Sequence, residues 1–248
     1  MNNKLRYFAW APSSQTWVAV LAGFGSVALS LAMLPLSSQP IAEALVRDFA
    51  QVFLVGIVLP VTFLMRTGQS HREFGFHLRR WPLFLAINLV LAIGLLFQFR
   101  RASPLPTTFG WSDQTLWLAM YVFVALVFEL VFFYGFLRTL FERAFGIVPS
   151  IALVALFYSF HHAGFQPEFL KLFFVGVLYA TVYRLGNSAL LIFPFFLGVG
   201  GIYDVLFQSR VVAPVRYAEW RTIGLVVCMA LAFVWYWQSA TTRRDPAA

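Results

Sequence analysis

Charge is scarce in this chain. Asp, Glu, Lys and Arg make up 11% of its 248 residues, against roughly 25% in an ordinary soluble domain. With 60% of the residues hydrophobic, too little polar surface remains to cover a water-soluble globule of this size. A disordered chain and a fibrous repeat are excluded on the same grounds, and no period of 20–50 residues recurs. Cysteine is nearly absent: Cys228 stands alone inside an apolar run, so there is no internal disulfide and the redox compartment is left open. Lysine is almost missing too, since 16 of the 18 basic residues are Arg. The net charge of +8 would suggest nucleic acid in a soluble chain. Here the bases gather at the ends of apolar runs, where they act as topology signals and phospholipid contacts. No basic tract interleaved with exposed aromatics argues for a nucleic-acid partner.

Long apolar runs fill the rest of the sequence, 29 of whose residues are Phe. Eight runs approach the roughly 20 helical residues that cross a hydrocarbon core: 16–34, 41–65, 81–99, 115–141, 145–162, 167–183, 188–207 and 222–238. Pro35 and Pro40 bracket the first exit, because proline cannot continue a helix cheaply. The other breaks fall at 66–80, 100–113, 164–167, 186–187 and 208–221. Alternation of apolar and polar residues, as in a barrel strand, is lacking. The fold class expected is therefore all-α, a polytopic transmembrane helical bundle of about eight spans. Short connections make residues 1–248 a single membrane domain. The N-terminal stretch lacks a compact cleavage-site pattern, so the first span is kept.

Orientation follows from Lys and Arg in the short loops. With the N-terminus inside, Lys4, Arg6, Arg66, Arg72, Arg79, Arg80, Arg138, Arg143, Arg184, Arg243 and Arg244 fall on the inner side. Arg100, Arg101, Lys171, Arg210, Arg216 and Arg221 fall on the outer side. Eleven against six puts both termini in the cytoplasm.

Ionisable residues at membrane depth cost about 2.5–3.5 kcal/mol each on insertion scales, so they are functional candidates by default. Glu129 sits mid-span with no other charge within eight positions. His161 and His162 end the fifth run, and Asp204 lies late in the seventh. Glu43, Arg47 and Asp48 lie near an outer end and are expected to reach the interface. Each has a plain reading: a protonated, hydrogen-bonded Glu, an interfacial His on a helix C-terminus, an Asp at a helix end. Together, on three nearby spans, they suit water activation by a carboxylate beside an imidazole. Neighbouring residues on a helix point about 100° apart, so only one of the two histidines is expected to face the site if the helix continues. That same spacing suits one metal ion poorly, H-E-x-x-H is absent, and no metal is expected. Neither G-x-S-x-G nor a phosphate-binding glycine loop occurs, and Gly198, Gly200 and Gly201 are read as helix-packing positions.

The stretch Phe128-Glu129-Leu130-Val131-Phe132-Phe133-Tyr134-Gly135-Phe136-Leu137 resembles the first motif of the CAAX-protease and bacteriocin-processing family of glutamic intramembrane endopeptidases. That motif is typically Glu-Glu-x-x-x-Arg followed by Gly-Phe-Leu-like residues. Glu129 matches the first Glu, while Leu130 and Tyr134 stand where the second Glu and the Arg belong. The second motif, Phe-x-x-x-His, is met by Phe157 and His161. The stretch 176–187 resembles the family's Gly-rich span and turn, and 73–80 resembles a family loop. In the third motif, Gly200 stands where His belongs and Asp204 matches the acidic or amide position. The resemblance covers about residues 73–204.

It implies peptide hydrolysis in or near the membrane without a cofactor. Glu129 and His161 would activate water, with Asp204, His162, Tyr203 or Tyr134 as oxyanion or supporting groups. The substrate would be a membrane-anchored protein or peptide, and the location the bilayer of a bacterial inner membrane. Losing the second Glu and the Arg together removes both partners of an ion pair, which costs far less than losing one. Arg138, one turn on, is a candidate replacement cation near the interface. Two rival readings stand beside this one: an inactive scaffold or partner-binding protein on the same fold, and a transporter using Glu129, His161 and Asp204 as a proton relay.

Overall fold

The computed structural model describes residues 6–36, 38–102, 112–162, 167–208 and 215–242. Among them, eight long helices follow the apolar runs and no strand occurs: α1 (Ser14–Leu36), α2 (Pro40–Thr67), α3 (Trp81–Ala102), α4 (Asp113–Phe145), α5 (Ile147–His161), α6 (Phe169–Gly186), α7 (Pro194–Gln208) and α8 (Ala218–Thr242). The fold is an all-α polytopic bundle. Six of the helices are long and apolar enough to cross a membrane. The other two, α5 and α7, have 15 residues each. At 1.5 Å per residue an α-helix of that length rises only about 22 Å, short of a hydrocarbon core of about 30 Å. Eight full spans thus become six, with two shorter apolar helices inside the bundle. Of the breaks expected at 100–113, 164–167 and 208–221, residues 103–111, 164–166 and 209–214 lie outside the described residues, as do the bases Lys4, Arg210, Arg243 and Arg244.

The centre of the bundle is α4, which packs on α2, α5, α7 and α8. Its sequence explains that position: from Val124 to Leu137 every residue but Glu129 and Gly135 is apolar or aromatic. A helix apolar all round belongs in a core. Phe132, Phe133, Tyr134, Phe136 and Leu137 are fully buried. By contrast α3 buries only Asn88 and Ala92, which makes it a perimeter helix.

Three segments wind as wider π-helix: Leu45–Val58 in α2, Leu130–Leu137 in α4 and Pro194–Gln208, all of α7. Such turns, with i→i+5 hydrogen bonds, often mark functional positions. The α4 segment begins immediately after Glu129.

One end of the bundle is rich in arginine. There Gly146 joins α4 to α5 at φ +88°, and a Cβ on it would lie 2.9 Å from Arg6 O; glycine alone tolerates both conditions. The N-terminal segment runs across this turn: the amides of Ala9 and Ala11 donate to Phe145 O and Ala144 O, and those of Ile147 and Val148 donate to Arg6 O and Tyr7 O. At the same end Arg138 is buried rather than interfacial. It donates to Glu142 at 2.5 Å, to the Tyr134 carbonyl at 2.9 Å and to Asn187, and Glu142 also accepts from Arg184 at 2.9 Å.

At the opposite end the expectation of interfacial charges is corrected for Asp48. Its carboxylate is buried and accepts from Arg221 Nε and Nη2 at 2.5 and 2.9 Å and from the Tyr121 hydroxyl at 2.7 Å. A partner 173 residues away lets this carboxylate leave the interface, since a buried charge persists when paired and hydrogen-bonded.

Candidate active site

Glu129 lies 17 positions before Gly146 and His161 lies 15 after it. Two antiparallel helices joined by a tight turn bring residues equidistant from that turn to the same depth. The Glu129 carboxylate and the His161 ring therefore meet inside the bundle, with His161 Nε2 3.8 Å from Glu129 Oε1.

Both histidines face the carboxylate, contrary to the expectation from helical spacing. α5 stops at His161, and His162 leaves the helix at φ −81°, ψ 47°. That turn brings His162 Nε2 to 4.0 Å from the same Glu129 Oε1. The argument against a shared metal site falls with it. Glu129, His161 and His162 each offer one ligand atom, all within 4.8 Å of one another, and could hold a metal ion.

Each ring is fixed through its other nitrogen. His162 Nδ1 is 2.8 Å from the Tyr158 carbonyl oxygen, and its ring lies 4.6 Å from that of Tyr158. His161 Nδ1 is 2.7 Å from Gln51 Nε2 on α2 and 2.8 Å from Ser30 Oγ on α1. The rings of Phe128 and Phe133 flank His161 at 5.2 Å. Glu129 is almost wholly buried, and its Oε2 has no protein hydrogen-bond partner. A buried polar atom without a partner is rare and calls for an explanation.

The Tyr134 hydroxyl is also buried without a hydrogen-bond partner. The wide π-turn after Glu129 explains why residues five apart share a face. Asp204 is half-buried on α7 and makes no hydrogen bond or ion pair with Glu129, His161 or His162. Tyr203 stacks face to face on Phe99 of α3 at 6.1 Å. Arg138 is committed to Glu142 and Asn187, and so does not serve as a replacement cation beside Glu129. Ser159 donates to the Phe169 carbonyl at 2.5 Å and ties α5 to α6.

Sequence reasoning missed Gln51, Ser30 and Tyr179. The first two read as ordinary polar residues in apolar runs; the signal they carry is a donor or acceptor at membrane depth. Tyr179 explains the glycine at position 200. A Cβ there would lie 1.9 Å from the Tyr179 hydroxyl oxygen, so the phenol tip occupies the space in which any longer side chain would begin.

A family model described as "Rce1-like: Type II CAAX prenyl endopeptidase Rce1-like" matches residues 111–196. That is 86 of the chain's 248 residues, and it takes in Glu129, Tyr134, His161 and His162 but neither Gly200, Tyr203 nor Asp204. No curated protein and no solved structure matches the chain at a significant level. The resemblance to CAAX proteases therefore rests on α4 to α6 and the start of α7. Together with the apolar helices it supports an integral membrane protein with peptidase activity.

Proposed function

We propose that the chain is an intramembrane endopeptidase in which Glu129 and the two histidines activate a water molecule. One observation carries this reading: a buried carboxylate with one oxygen between two imidazole nitrogens and the other lacking any protein partner. That set of acceptors and donors can hold a water and take a proton from it. In the proposed step Glu129 accepts the proton as the water oxygen bonds to the scissile carbonyl carbon. The carbonyl oxygen gains the negative charge, which N–H or O–H donors hold. Collapse breaks the C–N bond as the proton passes to the leaving nitrogen. His161 is the principal partner of Glu129; Tyr134, His162, Asp204 and Tyr203 are the supporting groups, with His162 the nearest to the carboxylate.

The substrate proposed is a membrane-anchored protein or peptide, cut near a terminal membrane segment. By the excess of positive charge, the arginine-rich end faces the cytoplasm of a bacterial inner membrane, as do both termini. His161 ends a helix that starts at that end and rises about 21 Å, so the site belongs to the outer half of the bilayer. An exported protein's terminal anchor reaches that depth more readily than a prenylated tail on the cytosolic surface.

Incubation of purified protein with membrane-anchored substrates, beside a Glu129→Gln control, tests the reading. Cleavage by the wild type alone supports it. Cleavage by neither protein across a panel of anchored substrates favours the scaffold reading.

The ligand atoms gathered within 4.8 Å support a second reading, a His₂Glu metal peptidase with an open coordination position. Chelation separates the two. Activity that survives prolonged chelation belongs to the glutamic reading, and activity lost and then restored by zinc belongs to the metal one.

A further inference from the structure

Gln51 makes its contact with His161 through the amide nitrogen. The same nitrogen lies 3.1 Å from the Ser26 carbonyl oxygen, which can only accept. That carbonyl fixes which way the amide points. An amide nitrogen cannot accept a hydrogen bond, so where it contacts His161 Nδ1 at 2.7 Å the ring nitrogen is the acceptor. Ser30 Oγ, 2.8 Å from the same ring atom, accepts from the Gln51 amide at 2.5 Å and directs its one proton to the Ser26 carbonyl at 3.1 Å, so it adds no donor to Nδ1. In a neutral imidazole with an accepting Nδ1, the proton sits on Nε2.

The neighbouring ring is set the other way. His162 Nδ1 faces a backbone carbonyl at 2.8 Å, so it donates and leaves a lone pair on Nε2. Two adjacent histidines thus turn unlike atoms toward one carboxylate: an N–H from His161 at 3.8 Å and a lone pair from His162 at 4.0 Å.

We infer that Gln51 is a positioning residue that locks His161 as an N–H donor toward the reaction space, while the Tyr158 carbonyl holds His162 as the acceptor. The inference deepens the peptidase reading and rests on it for its catalytic meaning. A donor at His161 Nε2 can hold the carbonyl oxygen as it becomes an anion, or orient the water by its oxygen. It cannot take the water's proton, so the acceptors in the site are the Glu129 carboxylate, the proposed base, and the His162 lone pair. A protonated Nε2 is also no metal ligand, so the lock weighs against a resident ion.

Nothing else in the site does this work for His161. Gln51 and Ser30 are both deeply buried, and they come from α2 and α1, outside the segment that matches the peptidase family. The two outer helices thus complete a site whose other members lie on α4 and α5.

The test reads the ring nitrogens directly. Full-length protein labelled with ¹⁵N-histidine, with resonances assigned by His161→Asn and His162→Asn, reports which nitrogen of each ring carries the proton. The expected result is a proton on Nε2 of His161 and on Nδ1 of His162. Gln51→Glu places an acceptor beside His161 Nδ1, so the proton should move to Nδ1. Gln51→Met keeps the volume and removes the donor. Each variant should lower kcat about 10–100-fold, the usual effect of removing a partner that orients an imidazole, with KM unchanged. A proton on Nδ1 of His161 in the wild type overturns the inference, as does a Gln51→Glu spectrum identical to wild type with unaltered kcat. Melting temperatures of the variants distinguish lost positioning from lost folding. Because the spectra need no substrate, an inactive wild type with the expected protonation would overturn the peptidase reading and leave the lock standing.

Discussion

The hydroxyl of Tyr179 sits where a side chain on Gly200 would begin, 1.9 Å from the position of its Cβ. α6 and α7 approach through this contact, and each residue dictates the other: the phenol needs a glycine opposite, and the glycine leaves a gap that only a long side chain fills. Gly200→Ala should lower stability by about 1–3 kcal/mol, the usual cost of overpacking. In a Tyr179→Phe background the same substitution should cost less, although the ring carbon at 2.9 Å keeps the relief partial. Thermal melts in detergent measure both, and equal losses in the two backgrounds would show that the contact is not made.

Glu129→Gln keeps volume and one hydrogen-bonding oxygen but cannot accept a proton. It should reduce processing by about 10²–10⁴-fold, the range of a general base, and leave the melting temperature near wild type. His161→Ala should reduce processing comparably. Full processing by Glu129→Gln in cells would remove this residue from the chemistry.

Tyr134 and Tyr203 are separated by the same assay. Tyr134 carries a buried hydroxyl without a hydrogen-bond partner five positions after Glu129, so Tyr134→Phe should lower kcat about 10²–10³-fold with KM unchanged, as for a lost oxyanion donor. Tyr203 is stacked on Phe99, and Tyr203→Phe should change kcat less than about tenfold. The opposite ranking would move the oxyanion site to α7.

Arg138, one turn past Tyr134, is buried and pairs with Glu142. Glu142→Ala leaves a buried guanidinium short of its carboxylate and should cost about 3 kcal/mol. Replacing both partners, with Arg138→Met and Glu142→Leu, should cost less than the single change. A double variant less stable than Glu142→Ala would show that Arg138 is held by Asn187 and the Tyr134 carbonyl instead.

Orientation is open to labelling. In a Cys228→Ser background, a cysteine at Ser70, in the arginine-rich end, should react only from the cytoplasmic side. One at Ser112, the exposed cap of α4, should react only from outside. The reverse pattern would turn the site toward the cytosol and make a prenylated tail the better substrate.

Much of this architecture is legible in the sequence because hydrophobic runs announce membrane helices one at a time. The meeting of Glu129 with His161 is legible as well, once Gly146 is read as the turn between them. His162 was not, because nothing between Phe157 and His162 marks a helix end; the next glycine is Gly164. Asp48 with Arg221, Gln51 with His161 and Tyr179 with Gly200 each join residues far apart in sequence on helices whose rotation no local pattern reports. Polar residues inside apolar runs give their location but not their partners.

The N-terminal strap over Gly146 sets a timetable for assembly. Arg6 and Tyr7 are made well before their partners, the amides of Ile147 and Val148. Some 140 residues must be made in between, which at 5–20 residues per second takes roughly 7–28 s. Throughout that interval the carbonyls of Arg6 and Tyr7 lack these two partners. The hairpin that carries Glu129 and His161 is clasped only when residues 6–11 meet residues 144–148.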